Sequence, residues 1–227
     1  MKPFDLLVFD WDGTLMDSIA SIVACTRATI EELDLPRLPD QTIRDTIGLG
    51  LRETLEILSP GADDAMYERV LGCYRKHWLA TYRDLPVLFD GVPEMLRGLA
   101  EEGYLLAVAT GKSRRGLDHA LRETGLGSLF LATRTVDEAF SKPHPQMLLA
   151  ILDELGVTPG AAVMIGDTTW DLEMARSAGT ASIGVCTGSH GRAELERLEP
   201  LACLREVVEL PAWLAGTATS RPSPSTR

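Results

Sequence analysis

The sequence has few cysteines, no long apolar run and fewer basic than acidic residues, and each shortage excludes a class of protein. Its four cysteines lie too far apart for a Cys-x-x-Cys metal or redox motif, so we expect buried, reduced thiols. No apolar run approaches the roughly 20 residues of a transmembrane helix, and the first residues do not form a signal peptide. By default we therefore expect a cytoplasmic protein with no membrane partner.

The charge balance is acidic. There are 22 lysine and arginine residues against 33 aspartate and glutamate residues, which gives a formal net charge of −11. This argues against nonspecific binding to nucleic acid or to anionic membranes, because both attract basic surfaces. An anionic substrate is compatible with such a chain only if a metal cation and a few placed basic groups reverse the local field.

Short apolar runs typical of buried parallel strands alternate with segments of helical periodicity along much of the chain. The apolar runs are at 6–9, 104–109, 129–132, 162–165 and 181–186. The helical segments between them are at 92–101, 113–124, 146–155 and 172–177. This alternation predicts an α/β fold in which helices cover both faces of a parallel sheet.

The stretch from Met16 to about Leu88 interrupts the alternation, because it has helical periodicity and no convincing strand. Its predicted helices are at 18–33, 40–47, 51–58 and 63–82. We therefore predict a core of residues 1–15 and 89–212, with an all-helical cap at 16–88 inserted after the first strand. An insert at this point suggests a lid over the site. The chain end, 213–227, is rich in Ser, Thr and Pro and is predicted to be a disordered tail.

Two carboxylates follow the first predicted strand in the string Asp10-Trp11-Asp12-Gly13-Thr14. In an α/β sheet, active sites lie at the carboxyl ends of the strands. Strand alternation puts Asp10 and Asp12 on one side and Trp11 on the other. One carboxylate can act as a nucleophile while the second transfers a proton, and Gly13 allows backbone N–H groups to close around an anion. The alternative without a catalytic role is a capped turn after a strand, since Asp-Gly is a common turn pair.

Two further segments supply a hydroxyl and a cation. Thr110 follows the apolar run at 104–109, and its hydroxyl and the backbone amides around Gly111 could hold a phosphoryl oxygen. Lys142 lies in the loop Ser141-Lys142-Pro143-His144-Pro145, where two prolines favour a positioned lysine over a merely solvated one. A fixed cation lowers the repulsion between two anions that must meet.

The string Gly166-Asp167-Thr168-Thr169-Trp170-Asp171 follows the apolar run at 162–165. Its two aspartates, Asp167 and Asp171, are four residues apart around a predicted strand-to-helix turn. Carboxylates, a carbonyl and waters are ligands that suit octahedral Mg²⁺. The alternative is capping of the following helix, which is more credible for Asp171 alone than for the pair.

Taken in order, these four motifs span residues 10 to 171 and resemble those of the haloacid dehalogenase superfamily, among the phosphatases with a helical cap after the first motif. The resemblance implies a Rossmann-like core. It also implies that Asp10 is the nucleophile and forms an aspartyl-phosphate, and that Asp12 is the general acid and base. Lys142 would then neutralise the phosphoryl group and Asp10, with Thr110 beside them.

The resemblance further implies a Mg²⁺ cofactor and a small phosphorylated metabolite as the substrate. By resemblance, Asp10, the backbone carbonyl of Asp12 and Asp167 bind the metal. Asp171 either binds it, directly or through water, or orients Lys142. The chain is expected to act as a monomer or a homodimer.

The cap segment Gly48-Leu49-Gly50-Leu51-Arg52-Glu53 is the predicted source of substrate selectivity. Its glycines allow a tight or flexible loop before a helix, and Arg52 could bind a substrate carboxylate bidentately. An exposed helical arginine beside glutamates is at least as good an interpretation. Within the superfamily, the pair Asp17-Ser18 and the segment at 88–93 are similar to those of phosphoglycolate phosphatases.

Several alternatives stay open on the sequence. A sugar phosphomutase or an inorganic pyrophosphatase of the same superfamily would keep both aspartates of the first motif. A catalytically silent binding protein on this scaffold is the alternative outside the enzymes. A hydrolytic dehalogenase is disfavoured, because dehalogenases of the superfamily lack the second aspartate, which is present here as Asp12.

Overall fold

The computed structural model describes residues 2–82 and 87–219. Its strands are β1 (Leu6–Phe9), β2 (Met16–Asp17), β3 (Val87–Leu88), β4 (Leu105–Thr110), β5 (Ala132–Thr135), β6 (Ala162–Gly166), β7 (Ala181–Val185) and β8 (Cys203–Leu204). Its α-helices are α1 (Ile19–Glu32), α2 (Asp40–Arg44), α3 (Leu51–Leu58), α4 (Asp64–His77), α5 (Val92–Glu101), α6 (Arg114–Thr124), α7 (Gln146–Leu155), α8 (Thr169–Ala178), α9 (Arg192–Glu196) and α10 (Leu210–Thr219).

Six strands form one parallel sheet in the order β5-β4-β1-β6-β7-β8. Strand β1 lies in the middle, with β4 on one side and β6 on the other. The chain order reverses at β1, and the crevice beside such a reversal is where doubly wound folds bind ligands. The predicted α/β class is confirmed, and the site is expected at the carboxyl end of β1.

Alternate residues of β1 pack into two different hydrophobic cores, one on each face of the sheet. Leu7 and Phe9 lie in the core that α5, α6 and α10 cover. Leu6 and Val8 lie in the core that α7 and α8 cover. Because both faces are buried, β1 is apolar throughout instead of alternating with polar residues.

Helices α1 to α4 occupy the predicted cap between β2 and β3. They have their own apolar cluster, in which Ile19, Val23 and Ile30 of α1 pack against Ile43 and Ile47. The last predicted helix of this segment is divided into α4 and a π-helix at Trp78–Tyr82.

The expectation of no strand at 16–88 is wrong at both ends of the segment. The two-residue strands β2 and β3 pair antiparallel, with Met16 opposite Leu88 and Asp17 opposite Val87. Strands this short show no periodicity in the sequence. They join the beginning of the helical segment to its end, so both connections to the core lie side by side.

Two other expectations are corrected. The strand expected at 129–132 is found at Ala132–Thr135, after a 3₁₀ turn at Gly127–Leu129. It is an edge strand with polar residues at its centre. The prediction followed the apolar run that precedes the strand and was therefore displaced toward the N-terminus. Residues 213–219 belong to α10 and are not a disordered tail, since Leu210 and Leu214 anchor that helix in the core. The remaining tail, 220–227, lies outside the described residues.

None of the helices in the described ranges, 2–82 and 87–219, is long and apolar enough to cross a membrane.

Candidate active site

Three strands deliver the predicted site residues to one edge of the sheet. Asp10 follows β1, Thr110 ends β4 and Asp167 follows β6, and β1 pairs in register with both neighbours. The Asp10 amide donates to the Ile165 carbonyl at 2.9 Å, which continues the strand pairing one residue beyond β1. The structure therefore brings together residues that are up to 157 positions apart in the chain.

A buried ion-pair triad forms the centre of the site. Lys142 Nζ lies 2.9 Å from Asp10 Oδ1 and 2.6 Å from Asp171 Oδ1, with all three side chains almost fully enclosed. Burial alone would lower the pKa of Lys142, but the two carboxylates outweigh it and raise that pKa above its ordinary value. The ammonium is therefore a permanent cation between two carboxylates.

The ionisation of Asp10 is finely balanced. Burial raises the pKa of its carboxyl to about 7, because the Lys142 cation compensates only part of the lost hydration and Asp171 adds repulsion. Its Oδ1 accepts from the Trp11 amide at 2.6 Å, whereas Oδ2 is buried without a hydrogen-bond partner among the described residues. An unpaired buried carboxylate oxygen is costly, so it needs a cation or an electrophile beside it.

Asp167 is the third buried carboxylate. It accepts from the Thr14 hydroxyl at 2.9 Å and from the Ser189 amide at 2.8 Å. Burial, with added repulsion from Asp10 and Asp171, raises the pKa of Asp167 well above its usual range. Asp10 and Asp171 share the ammonium of Lys142, whereas Asp167 has no ion pair among the described residues, so a further cation would stabilise the ionised carboxylates.

The side chain of Asp171 has partners on both oxygens. Its Oδ2 accepts from the Thr168 amide at 3.1 Å and the Thr168 hydroxyl at 2.6 Å, in a capping box that begins α8. Its Oδ1 pairs with Lys142. Asp171 therefore caps α8 and also pairs with Lys142. Of the two roles left open for Asp171, metal binding and the orientation of Lys142, these contacts favour the second.

Carboxylate oxygens of Asp10, Asp167 and Asp171 lie within 4.8 Å of one another, close enough to share one metal ion. Their donor set is all oxygen, which suits Mg²⁺. The unpaired Oδ2 of Asp10 and the excess negative charge fit such an ion.

Asp12 is held by two residues that the sequence analysis did not assign to the site. Lys112 Nζ lies 2.8 Å from each of its carboxylate oxygens, and the Ser18 hydroxyl donates to its Oδ1 at 2.5 Å. Lys112 was visible in the sequence two positions after Thr110. Because β4 ends at Thr110, strand alternation does not fix the direction of the Lys112 side chain.

At Gly13 and Gly111, two segments of the chain approach each other too closely for a side chain. The Gly13 amide donates to the Met16 carbonyl at 2.8 Å and so is already engaged, which does not support its predicted contact with substrate. Its φ of 77° and the closeness of Asp167 exclude a side chain, since an added Cβ would lie 2.5 Å from Asp167 Oδ2. At Gly111 an added Cβ would lie 2.5 Å from the Gly48 carbonyl oxygen, so the cap loop lies directly on this residue.

Thr110 is buried at the sheet edge as predicted, and its hydroxyl accepts from the Lys112 amide at 3.3 Å. Arg52 has a different environment from the one predicted. Its guanidinium pairs with Asp64 at 3.0 Å and stacks over the Tyr67 ring at 4.2 Å, both on α4. The structure therefore favours the interpretation of Arg52 as an exposed cap residue.

Comparison with known proteins agrees with this geometry. A family model described as "Haloacid dehalogenase-like hydrolase" matches residues 7–185. The "Probable phosphatase IndB" of Dickeya dadantii is 39% identical over 208 residues, which are 88% of either chain. The "Pyrophosphatase PpaX" of Listeria innocua is 32% identical over 210 residues, 90% of this chain and 93% of that protein.

A solved structure shows the same fold. A hydrolase from Pseudomonas syringae superposes with a TM-score of 0.86 at 25% identity, covering 93% of this chain and 98% of that one. The family and the enzyme class inferred from the four motifs are thereby confirmed. The chain belongs to the haloacid dehalogenase-like hydrolase family.

Proposed function

We propose that this protein is a Mg²⁺-dependent phosphomonoester hydrolase that acts on a small phosphorylated metabolite through an aspartyl-phosphate at Asp10. One observation carries the proposal. Asp10 has a buried oxygen without a hydrogen-bond partner, and the fixed ammonium of Lys142 pairs with its other oxygen. A nucleophilic carboxylate that must approach a phosphate dianion needs this arrangement.

The first half of the reaction transfers the phosphoryl group to Asp10. A carboxylate oxygen of Asp10 bonds to phosphorus as the ester P–O bond breaks, and the electron pair of that bond leaves with the alkoxide. Asp12 gives the alkoxide its proton. Lys142 compensates the negative charge that Asp10 and the phosphoryl oxygens bring together.

The second half returns the enzyme to its starting state. Asp12, now a carboxylate, removes a proton from a water molecule whose oxygen bonds to phosphorus. The bond from phosphorus to Asp10 breaks, and inorganic phosphate and the free carboxylate result. We expect the hydroxyl of Thr110, at the end of β4, to donate a hydrogen bond to a phosphoryl oxygen.

The metal would be held by the carboxylates of Asp10 and Asp167 with the backbone carbonyl of Asp12, and Asp171 would act through Lys142. When bound, Mg²⁺ neutralises phosphoryl charge and orients the group for in-line attack. The chain's surplus of buried carboxylates supports this assignment.

We also propose the division into a core, 1–15 and 89–212 extended by the rest of α10 to residue 219, and a helical cap, 16–88. Contacts across it support the cap as a closed lid. The Gly50 amide donates to the Ser141 hydroxyl at 2.8 Å, and Trp170 Nε1 donates to the Asp45 carbonyl at 3.1 Å. Such a lid would exclude water and strengthen the electrostatics inside.

Two substrates have specific support. The Asp17-Ser18 pair and the segment at 88–93 favour 2-phosphoglycolate, by their similarity to phosphoglycolate phosphatases. The relative named pyrophosphatase favours inorganic pyrophosphate. Both compounds carry a second anionic group beside the phosphoryl group that is transferred.

We place the protein in the cytoplasm, as a monomer or a homodimer without a nucleic-acid or membrane partner. Its four free cysteines fit a reducing compartment.

The test is phosphate release from 2-phosphoglycolate, pyrophosphate, hexose phosphates, nucleotides and p-nitrophenyl phosphate, with Mg²⁺ or with EDTA. We expect Mg²⁺-dependent release, with one compound far ahead of the others. Asp10→Asn should retain the fold and lose more than about 10³-fold in kcat. Release that survives EDTA or Asp10→Asn would contradict the proposal, and no release from any compound would favour a mutase or a silent binding protein.

A further inference from the structure

A polar cleft lies between the cap and the core, lined in part by the loop that contacts Asp167. Its volume is about 630 Å³, and it is lined by α2 residues of the cap and by the loop that leads from β7 to α9. That loop contacts the site directly, since the Ser189 amide donates to Asp167 Oδ2 at 2.8 Å. The cleft therefore adjoins the proposed phosphoryl site but is not part of it.

Two residues that line this cleft each have a buried side-chain atom without a hydrogen-bond partner. Ser189 and His190 are each only 7% exposed, and neither Ser189 Oγ nor His190 Nε2 is hydrogen-bonded to any described residue. Leaving a buried polar group unsatisfied costs about 1–3 kcal/mol. A ligand in the cleft could satisfy both atoms, which belong to adjacent residues.

The hydrogen bonding of His190 determines what it offers to that ligand. Its Nδ1 accepts from the Thr169 amide at 3.0 Å, so Nδ1 carries no proton in this arrangement. The proton of the neutral imidazole is therefore on Nε2, which makes the unpartnered atom a hydrogen-bond donor. Ser189 adds a hydroxyl donor, and a ligand with acceptor oxygens matches both.

One basic residue and two acidic residues line the cleft. Arg44, at the end of α2, lines it without an ion pair to any residue of the described chain. Each of the two acidic residues accepts a hydrogen bond from a neighbour that also lines the cleft. Asp45 accepts from Gln41 at 2.7 Å, and Glu194 accepts from the Gly191 amide at 2.7 Å.

We propose that Arg44, Ser189 and His190 form a second binding subsite for an oxyanion, a carboxylate or a phosphate group, between the cap and the core. A guanidinium and two neutral donors are a complete set for such a group. The bound oxyanion is either the distal anionic group of the substrate or a free anion. The first case rests on the proposed function. Because Arg44 belongs to the cap and the other two to the core, an anion here also holds the cap closed.

The experiment compares two variants of His190 that differ in the hydrogen-bonding atom they keep, and adds one variant of Arg44 with its control. In His190→Asn, the amide oxygen can still accept from Thr169 while the donor at Nε2 is lost. In His190→Gln, the amide nitrogen restores a donor near that position. Arg44→Gln removes the charge, and Arg27→Gln is its control, since Arg27 is an exposed α1 residue paired with Asp40 at 3.7 Å. Melting temperatures confirm that each variant folds.

The first measurement is the ratio of kcat/KM for 2-phosphoglycolate or pyrophosphate to kcat/KM for p-nitrophenyl phosphate, which lacks a second anion. We expect the ratio to fall about tenfold or more in His190→Asn and Arg44→Gln. It should recover in His190→Gln and stay at the wild-type value in Arg27→Gln.

The second measurement is titration calorimetry with sulfate, in the presence of Mg²⁺ and BeF₃⁻ to occupy Asp10. Weaker sulfate binding in Arg44→Gln with an unchanged ratio would identify a free anion as the ligand. If neither the ratio nor sulfate binding responds to these substitutions, the subsite is refuted. An enzyme inactive on p-nitrophenyl phosphate whose sulfate binding depends on Arg44 would refute the proposed function alone.

Discussion

Lys112 Nζ lies 2.8 Å from each carboxylate oxygen of Asp12, and this contact joins two separate loops at the sheet edge. Ser18, which precedes α1, donates to the same carboxylate. Trp78 of the cap lies over the ammonium, with its ring centroid 5.5 Å from Nζ. The orientation of Asp12 is therefore set by residues of both the core and the cap.

The first prediction concerns Lys112→Met. Without the ammonium, Asp12 loses its fixed orientation, so we expect kcat to fall by about 10–100-fold on p-nitrophenyl phosphate. Lys76→Met is the matched control, because Lys76 is an exposed lysine paired with Glu32 at 2.8 Å. A kcat within about twofold of the wild type would show that Lys112 does not position Asp12.

The second prediction concerns the stability of the metal-free protein as a function of pH. Burial raises the pKa of Asp10 to about 7, above the roughly 3.9 of an unfolded chain. Between these values the folded state binds more protons than the unfolded state, so this contribution to the free energy of unfolding is full below pH 4 and is lost as pH rises through 7. Melting curves in EDTA at several pH values will measure it.

Asp10→Asn is the control for that measurement, because it cannot ionise. The melting temperature of the wild type relative to Asp10→Asn should decline from pH 4 to pH 7.5 in EDTA. Mg²⁺ should reverse the decline, since it binds the carboxylate form. A difference that is constant over this range would contradict the raised pKa.

The third prediction compares two lysines in ion pairs. Lys142→Met leaves the carboxylates of Asp10 and Asp171 buried without their cation, and loss of one partner of a buried pair costs about 3–5 kcal/mol. Lys76→Met breaks an exposed pair, which is worth at most about 1 kcal/mol. Urea unfolding at pH 7.5 in EDTA measures both, and equal losses would refute the special role of the buried triad.

Much of this site could be predicted from the sequence, because its residues follow the carboxyl ends of strands whose positions the sequence indicates. Asp10, Thr110 and Asp167 each follow an apolar run, and runs of that kind identify buried parallel strands. Once the strands are parallel and adjacent, the residues at their carboxyl ends must meet. The order and spacing of the motifs were therefore sufficient to predict that Asp10, Thr110 and Asp167 lie close together.

Contacts that depend on loop and side-chain direction could not be predicted in this way. Nothing in the local pattern shows that Lys112 reaches Asp12 across a hundred residues, or that Arg52 turns toward Asp64. The strands β2 and β3 are two residues each, too short for any periodicity. The loop that contains His190 is polar and irregular, and only the packing reveals that Ser189 Oγ and His190 Nε2 are buried without a hydrogen-bond partner among the described residues.

The last prediction tests whether the cap loop must rest on Gly111. The backbone at Gly111 has no positive φ, so alanine is compatible with its conformation. An added Cβ, however, would lie 2.5 Å from the Gly48 carbonyl oxygen and 2.7 Å from that of Leu49. Because these are backbone atoms, the loop must move away from the core, and we expect Gly111→Ala to raise KM by about tenfold with little loss of global stability.

Hydrogen exchange gives an independent measure of that displacement. The Gly50 amide donates to Ser141 Oγ at 2.8 Å, so in Gly111→Ala its protection should fall as the loop separates from the core. Gly72→Ala is the control, because Gly72 lies inside α4 with open space around its Cα. That control should gain about 0.5–1 kcal/mol of stability from the better helix former and keep the wild-type KM. If Gly111→Ala retains both its KM and the protection of the Gly50 amide, the cap does not close on Gly111 in solution.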